Sequence, residues 1–294
     1  MALQEGVMIK QNYLTIPSPT GSRKLAWTEW GEAGSPPVVC LHGLTRNSRD
    51  FDYLATELSV EYRVICPDMA GRGRSDWLEA PVDYNTQTYV MDSIALINQL
   101  GYDKVILIGT SMGGIIGMTL AAMPETPVSR LIINDIGPYI PKLAVERIAA
   151  YMTSPLPEFN SLDEIDRYLR FIHMPFGPLS DQQWHHLAVH SSITDETEKY
   201  KLHYDPAIGD NMKIEPDKAV EDVDLSALWE AITCPVLTIR GAESDLLLEQ
   251  TAEQMKTTGP KSTLVTFDGI GHAPMLMEKE QISEITDWLK NRLA

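Results

Sequence analysis

The stretch "VILIGTSMGGIIG", residues 105–117, decides the fold. Four branched or long apolar residues run into Gly109, Ser111 follows alone, and the small residues Gly113 and Gly114 come next. The run reads as a buried strand that turns sharply into a helix. A Ser on such a turn is forced into a strained backbone, which only small residues two places before and after accommodate. The same turn lifts the hydroxyl above the sheet edge, at the positive end of the helix that follows. Gly109 and Gly113 are therefore the space that an exposed nucleophile needs, whereas a Ser that merely capped a helix would not require them. Gly-x-Ser-x-Gly is short enough to arise by chance, so the weight lies on its strand–turn–helix setting.

Outward from this stretch, short β-branched runs alternate with amphipathic segments, the pattern of a mostly parallel sheet wrapped by helices. Residues 37–41 ("PVVCL"), 63–68 ("RVICPD"), 104–109 ("KVILIG"), 130–135 ("RLIIND"), 235–241 ("PVLTIRG") and 263–269 ("TLVTFDG") read as buried strands. Residues 8–16 and 25–31 predict an antiparallel hairpin at one edge. Helices are predicted over 88–100, 112–122 and 280–293, the last with Ile282, Ile285, Trp288, Leu289 and Leu293 on one face.

The alternation stops after Asp135. About a hundred residues pass before the next strand, too many for a structureless loop in a compact domain. "PKLAVERIAAYM", "SLDEIDRYLRFIH" and "SDQQWHHLAVHSS" carry helical spacing, the last two behind a Ser cap. The chain thus predicts an α/β core over 1–135 and 235–294 with a helical cap inserted over 136–234.

Composition bounds the function. The 294 residues are 44% hydrophobic and 22% charged, an ordinary folded chain, with a formal charge of −17 that argues against nucleic acid or an anionic membrane as partner. From Asp135 to Cys234 there are 18 Asp and Glu against 8 Lys and Arg, so most of the negative charge lies in the insert. That charge favours neutral or cationic substrates over polyanions such as acyl-CoA thioesters. Three cysteines in apolar runs suggest a reducing compartment without a disulfide frame. No secretory signal and no run of ~18 apolar residues is visible, so the sequence reads as cytoplasmic.

A Ser hydroxyl is inert at neutral pH without a base. Of the seven histidines, His272 in "DGIGHAPMLM" falls after the last strand, at the same sheet edge as Ser111. The base in turn needs a carboxylate to fix its tautomer. Asp245 in "IRGAESDLLL" is the leading candidate, with Asp135 and Glu243 as rivals. "LHGLTRN" follows the strand at 37–41, which makes the backbone N–H groups of Leu44 and Met112 the expected oxyanion donors. His42 reads as a brace of that loop. Arg46 beside it reads as a solvated loop charge, with contact to a substrate carboxylate as the alternative, and aromatic residues of the insert, Trp184 among them, are candidates to line an apolar pocket. His186 and His190 share a helix face but belong to no ligand motif, and neither a phosphate loop nor a dinucleotide fingerprint is present. No metal or cofactor is expected.

The order "HGLTRN", "PDMAGRGRSD", "GTSMGG", "INDIGP", "RGAESD" and "GIGHAP" resembles the α/β-hydrolase superfamily in its capped form, over nearly the whole chain. The resemblance implies an eight-stranded sheet, a helical cap and the triad Ser111–Asp245–His272, and gives "PDMAGRGRSD" a structural role. Ser at 111 excludes the Asp-nucleophile chemistries of that fold. Ala273 departs from the aromatic that usually follows the His in hydrolases of ring-cleavage products. The expected activity is a serine hydrolase of small to medium carboxylic esters. A lactone, an enol-lactone or a carbon–carbon bond between ketones is the alternative substrate, and a ligand-sensing scaffold without turnover the alternative of another class. A monomer or homodimer would suit either.

Overall fold

The computed structural model describes residues 9–18, 21–194, 196–214 and 219–291. Eight strands form its central sheet: β1 (Lys10–Ser18), β2 (Gly21–Trp30), β3 (Pro37–Leu41), β4 (Arg63–Pro67), β5 (Val105–Thr110), β6 (Val128–Asn134), β7 (Val236–Gly241) and β8 (Thr263–Phe267). They lie in the order β1-β2-β4-β3-β5-β6-β7-β8. Pairing is antiparallel from β1 to β2 and from β2 to β4, and parallel across the rest. The edge strand β1 alternates exposed and half-buried residues, whereas every residue of β3 and β7 is buried. Continuous apolar runs are what a parallel strand covered on both faces requires.

The α-helices are α1 (Asp52–Leu58), α2 (Thr86–Leu100), α3 (Met112–Ala121), α4 (Lys142–Met152), α5 (Leu162–Ile172), α6 (Asp181–His190), α7 (Ser226–Ala231), α8 (Glu249–Met255) and α9 (Lys279–Asn291). Helix α2 begins two residues before its predicted start because Asn85 caps it, accepting from the Thr88 N–H. It stops at Gly101, whose φ of 74° few other residues adopt cheaply. The predicted ends at Met8 and Leu293 lie outside the described residues.

Helices α4 to α7 all fall between β6 and β7. Ser161 caps α5, and Ser180 with Gln183 forms a reciprocal capping box on α6. Two small antiparallel pairings in this region have no counterpart in the sequence reading: Ser192–Thr194 with Tyr200–Leu202, and Tyr139–Ile140 with Val223–Asp224. Strands of two or three residues are too short to show a period. Leu41, Ile65, Leu107, Ile133 and Ile239 are completely buried between the layers, and the three cysteines are buried and free. Among the described residues no helix is long and apolar enough to cross a membrane. The parallel strands deliver their following loops to one edge of the sheet, where α/β sheets carry their sites.

Candidate active site

Ser111 sits between β5 and α3 with φ 53° and ψ −114°, a conformation costly for any residue with a Cβ. The neighbouring glycines have no alternative. A Cβ on Gly109 would lie 2.3 Å from the carbonyl oxygen of Gly113, and one on Gly113 would lie 2.0 Å from that of Leu41. Both clashes are with backbone, which cannot swing aside.

His272 arrives on the loop after β8. Its Nε2 is 2.9 Å from Ser111 Oγ and its Nδ1 is 2.8 Å from Asp135 Oδ2. The Asp135 side chain is completely buried, and its other oxygen, Oδ1, accepts the Gly241 N–H at 2.8 Å. An ionised carboxylate only accepts, so Nδ1 carries the imidazole proton and Nε2 is left to take the one on Ser111. Two fixed partners leave the carboxylate one orientation.

The carboxylate on His272 is therefore Asp135, and the expectation of Asp245 is corrected. Strands β6 and β7 pair with Asn134 opposite Ile239, so Asp135 stands one step beyond the last rung, beside Gly241. Asp245 falls four residues past the end of β7, with its side chain half exposed, and accepts from Arg147 of α4, Nε at 2.6 Å and Nη2 at 2.9 Å. Glu243 lines the cavity near it.

A cavity of about 530 Å³ opens over Ser111 and His272, within the range of small-molecule sites. Its wall is mostly apolar: Phe51, Ile148, Ile172, Phe176 and Met275 among others, with exposed Phe171 and Met174 also lining it. Leu44 lines it too, and its N–H has no protein partner among the described residues. Met112 opens α3, where a backbone N–H has no intrahelical acceptor. Arg72, fully buried, braces the turn behind both: Nε donates to the Leu44 carbonyl at 2.8 Å, and Nη2 lies 3.6 Å from Met112 Sδ.

His42 lines the cavity but has no polar atom to offer. Its Nδ1 donates to the Gly43 carbonyl at 2.7 Å, and its Nε2 accepts the Met69 N–H at 2.9 Å. Burial pushes it down to about 4. Trp184 is not at the site. It is buried within the helical insert, stacked on Phe176 at 6.4 Å and under the Arg170 guanidinium. Arg46 does line the cavity, paired with Asp50. Burial works against that guanidinium's charge, but the Asp50 carboxylate more than offsets it.

Tyr151, one of the insert's aromatic candidates, lines the cavity, as do His173 and Asp50, which the sequence reading did not place there. Burial holds His173 well below the usual imidazole range, helped by Arg46 and His272. It stacks on Phe176 with ring centres 4.4 Å apart. Elsewhere, ligand atoms of Asp52, His186 and His190 come within 4.8 Å of one another. Arg49 already engages two of the three. Its guanidinium donates to Asp52, and its carbonyl meets His186 Nε2 at 2.9 Å.

A family model for the alpha/beta hydrolase fold matches residues 36–278. The 3-hydroxybutyrate-oligomer hydrolase of Cupriavidus necator is 43% identical over 274 residues, covering 90% of this chain and 92% of the relative. The 2-(acetamidomethylene)succinate hydrolase of Mesorhizobium japonicum is 26% identical, covering 82% and 83%. Among solved structures, an alpha/beta hydrolase from Novosphingobium aromaticivorans superposes with a TM-score of 0.84 at 34% identity, covering 96% and 98%.

Proposed function

The chain belongs to the alpha/beta hydrolase fold family, and from that premise we propose that it is a serine hydrolase of carboxylic esters. The observation that carries the proposal is the unbroken chain of hydrogen bonds from Ser111 Oγ through His272 to a buried, doubly held Asp135. Ser111 attacks the ester carbonyl carbon while its proton passes to His272 Nε2. Asp135 holds Nδ1–H and stabilises the imidazolium. The Leu44 and Met112 amides receive the developing oxyanion. Collapse breaks the ester C–O bond, and His272 gives its proton to the leaving alcohol. Water then attacks the acyl-enzyme, yields its proton to His272, and releases the acid as Ser111 regains its hydrogen.

Residues 136–234 act as a cap on the core formed by 1–135 and 235–294. Cap residues Ile148, Tyr151, Ile172 and Phe176 share the cavity wall with core residues Phe51 and Met275, which suits a small to medium apolar acyl group. The Cupriavidus relative acts, by its name, on 3-hydroxybutyrate oligomers, so short oligoesters of hydroxy acids are the first substrates to try.

The test pairs p-nitrophenyl butyrate hydrolysis with covalent labelling by an organophosphate. Ser111→Ala is expected to lose roughly 10⁴–10⁶ of kcat, and the label to map to Ser111. Retained turnover in Ser111→Ala, or a label on any other residue, would contradict the proposal.

A further inference from the structure

One arginine in the cavity wall has no part in the bond-breaking steps. Arg46, read from the sequence as a solvated loop charge, is instead only 6% exposed and lines the cavity. Asp50, four residues on, is the partner that lets this charge be buried. A Cβ placed on Gly43 would be 3.6 Å from Arg46 Cγ and 3.9 Å from Ser111 Cβ, so the Arg46 stem starts beside the nucleophile. Nε and Nη2 donate to Asp50 Oδ2 and Oδ1 at 2.8 and 2.7 Å, along one edge of the guanidinium. Nη1 points away from that edge. It has no protein partner among the described residues, yet it is not sealed from solvent, and the space it meets is the cavity.

His173 of the insert lines the same cavity. Its ring is stacked on Phe176 with planes 5° apart, and neither ring nitrogen has a hydrogen-bond partner among the described residues. Arg46 helps hold that ring neutral, whereas Asp50 exerts no opposing effect on it. His173 therefore stands on the open side of the guanidinium, with Asp50 behind. At this point the cavity offers the two N–H groups of Nη1 and the one of a neutral imidazole. A carboxylate only accepts, and an ionised partner makes such bonds about twice as strong as a neutral one. A hydroxyl or an ester carbonyl would take the same donors without that gain. Arg147 also lines the cavity and pairs with Asp245 in the same manner, but its side chain is half exposed, where water screens the charge.

We propose that Arg46, with His173, binds the free carboxylate of a hydroxy acid that forms the alcohol part of the ester, so that the enzyme shortens oligoesters one unit at a time from the carboxyl end. The inference rests on the ester hydrolysis by Ser111 set out above. The connectivity of the substrate, whatever the shape of the wall, puts that carboxylate in the leaving group. In an oligoester the acyl carbon of the cut bond is itself esterified, so the free carboxylate belongs to the alcohol fragment. Arg46 and Ser111 both stand against Gly43, which keeps the carboxylate within one hydroxy-acid unit of the cut bond. Ser111 Oγ bonds to the carbonyl carbon of the penultimate unit, the ester C–O bond breaks, and His272 protonates the departing oxygen of the terminal hydroxy acid. Water then frees the shortened oligomer with a new terminal carboxylate, which the same arginine binds for the next cut.

The experiment compares kcat/KM for three dimers of 3-hydroxybutyrate: one with both ends free, one methyl-esterified at the carboxyl end, which keeps a carbonyl acceptor, and one O-methylated at the hydroxyl end. Methyl esterification should lower kcat/KM by at least ~30-fold, and O-methylation by no more than about threefold. In a trimer isotope-labelled in its carboxyl-terminal unit, the first monomer released should carry the label. In the double variant Arg46→Gln/Asp50→Asn, which leaves no unpaired buried charge, the preference for the free over the esterified dimer should narrow at least ~10-fold, and in His173→Phe by about threefold or more. Arg147→Gln should keep the preference. Should the double variant not fold, survival of the preference in Arg147→Gln and its narrowing in His173→Phe decide the matter. Equal cleavage of the free and esterified dimers, label left in the dimer product, a preference kept in the double variant, or one lost in Arg147→Gln would overturn the inference. So would cleavage of p-nitrophenyl butyrate with none of the dimers cut, and in that case ester hydrolysis would stand. Full p-nitrophenyl butyrate turnover in Ser111→Ala would instead strike the ester reading itself.

Discussion

Gly113 shows how little freedom a single residue has at this site. It precedes Gly114 at the start of α3, where glycine costs a helix roughly 1 kcal/mol relative to alanine, yet its missing side chain is what lets Leu41 approach. A methyl there would sit 2.0 Å from the Leu41 carbonyl oxygen, so the steric cost outweighs the gain in helix propensity. Gly113→Ala is expected to destabilise by at least ~2 kcal/mol, a fall in Tm of about 3 °C or more for a chain of this size. A melting curve unchanged or raised by the substitution would mean that β3 and α3 are not packed so closely. The clash also displaces the nucleophile, so the esterase assay should fall with it.

At the scale of elements, the sequence carried most of the architecture and the meeting of Ser111 with His272, but neither the acid nor the place of Trp184. Buried parallel strands announce themselves as unbroken apolar runs, and the six read this way match β3 to β8 closely, with β6 beginning two residues earlier than read. Capped amphipathic helices are equally plain: Ser161 and Ser180 mark α5 and α6 to the residue. The acid was not legible because Ser–Asp–His order holds for Asp135 and Asp245 alike. What separates them is register. Asp135 follows "LIIN" without a break and so inherits the position of β6 beside β7. Three loop residues separate Asp245 from the end of β7, enough for it to turn away, and Arg147 of α4 takes it up. That pairing joins two elements 98 residues apart in the chain, which no local pattern encodes. The Arg46–Asp50 pair was half visible. Its i, i+4 spacing is in the sequence, but its burial against the cavity depends on tertiary packing.

The whole molecule draws its site from distant parts of the chain, since 161 residues separate Ser111 from His272, and so depends on global stability. Burial holds His42 at about 4 and His190 at about 3, below the ordinary 6.5. The unfolded chain therefore binds protons that the folded chain refuses between pH 6.5 and 4. Stability is full above about pH 6.5 and falls on acidification, by ~1.4 kcal/mol per pH unit for each such histidine. Asp52 and Asp92, raised above 3.8 by burial, act in the opposite sense and offset part of the loss toward the acid end. Tm should thus decline steadily from pH 6.5 to 4, and a rise over that window would contradict the burial of these rings. The central claim is that the end of β6 supplies the carboxylate that orients His272. Its most direct test is kcat/KM for p-nitrophenyl butyrate in Asp135→Asn beside Asp245→Asn. We predict a loss of about 10³–10⁴ for Asp135→Asn and under tenfold for Asp245→Asn. The reverse ranking, or equal losses in both, would contradict it.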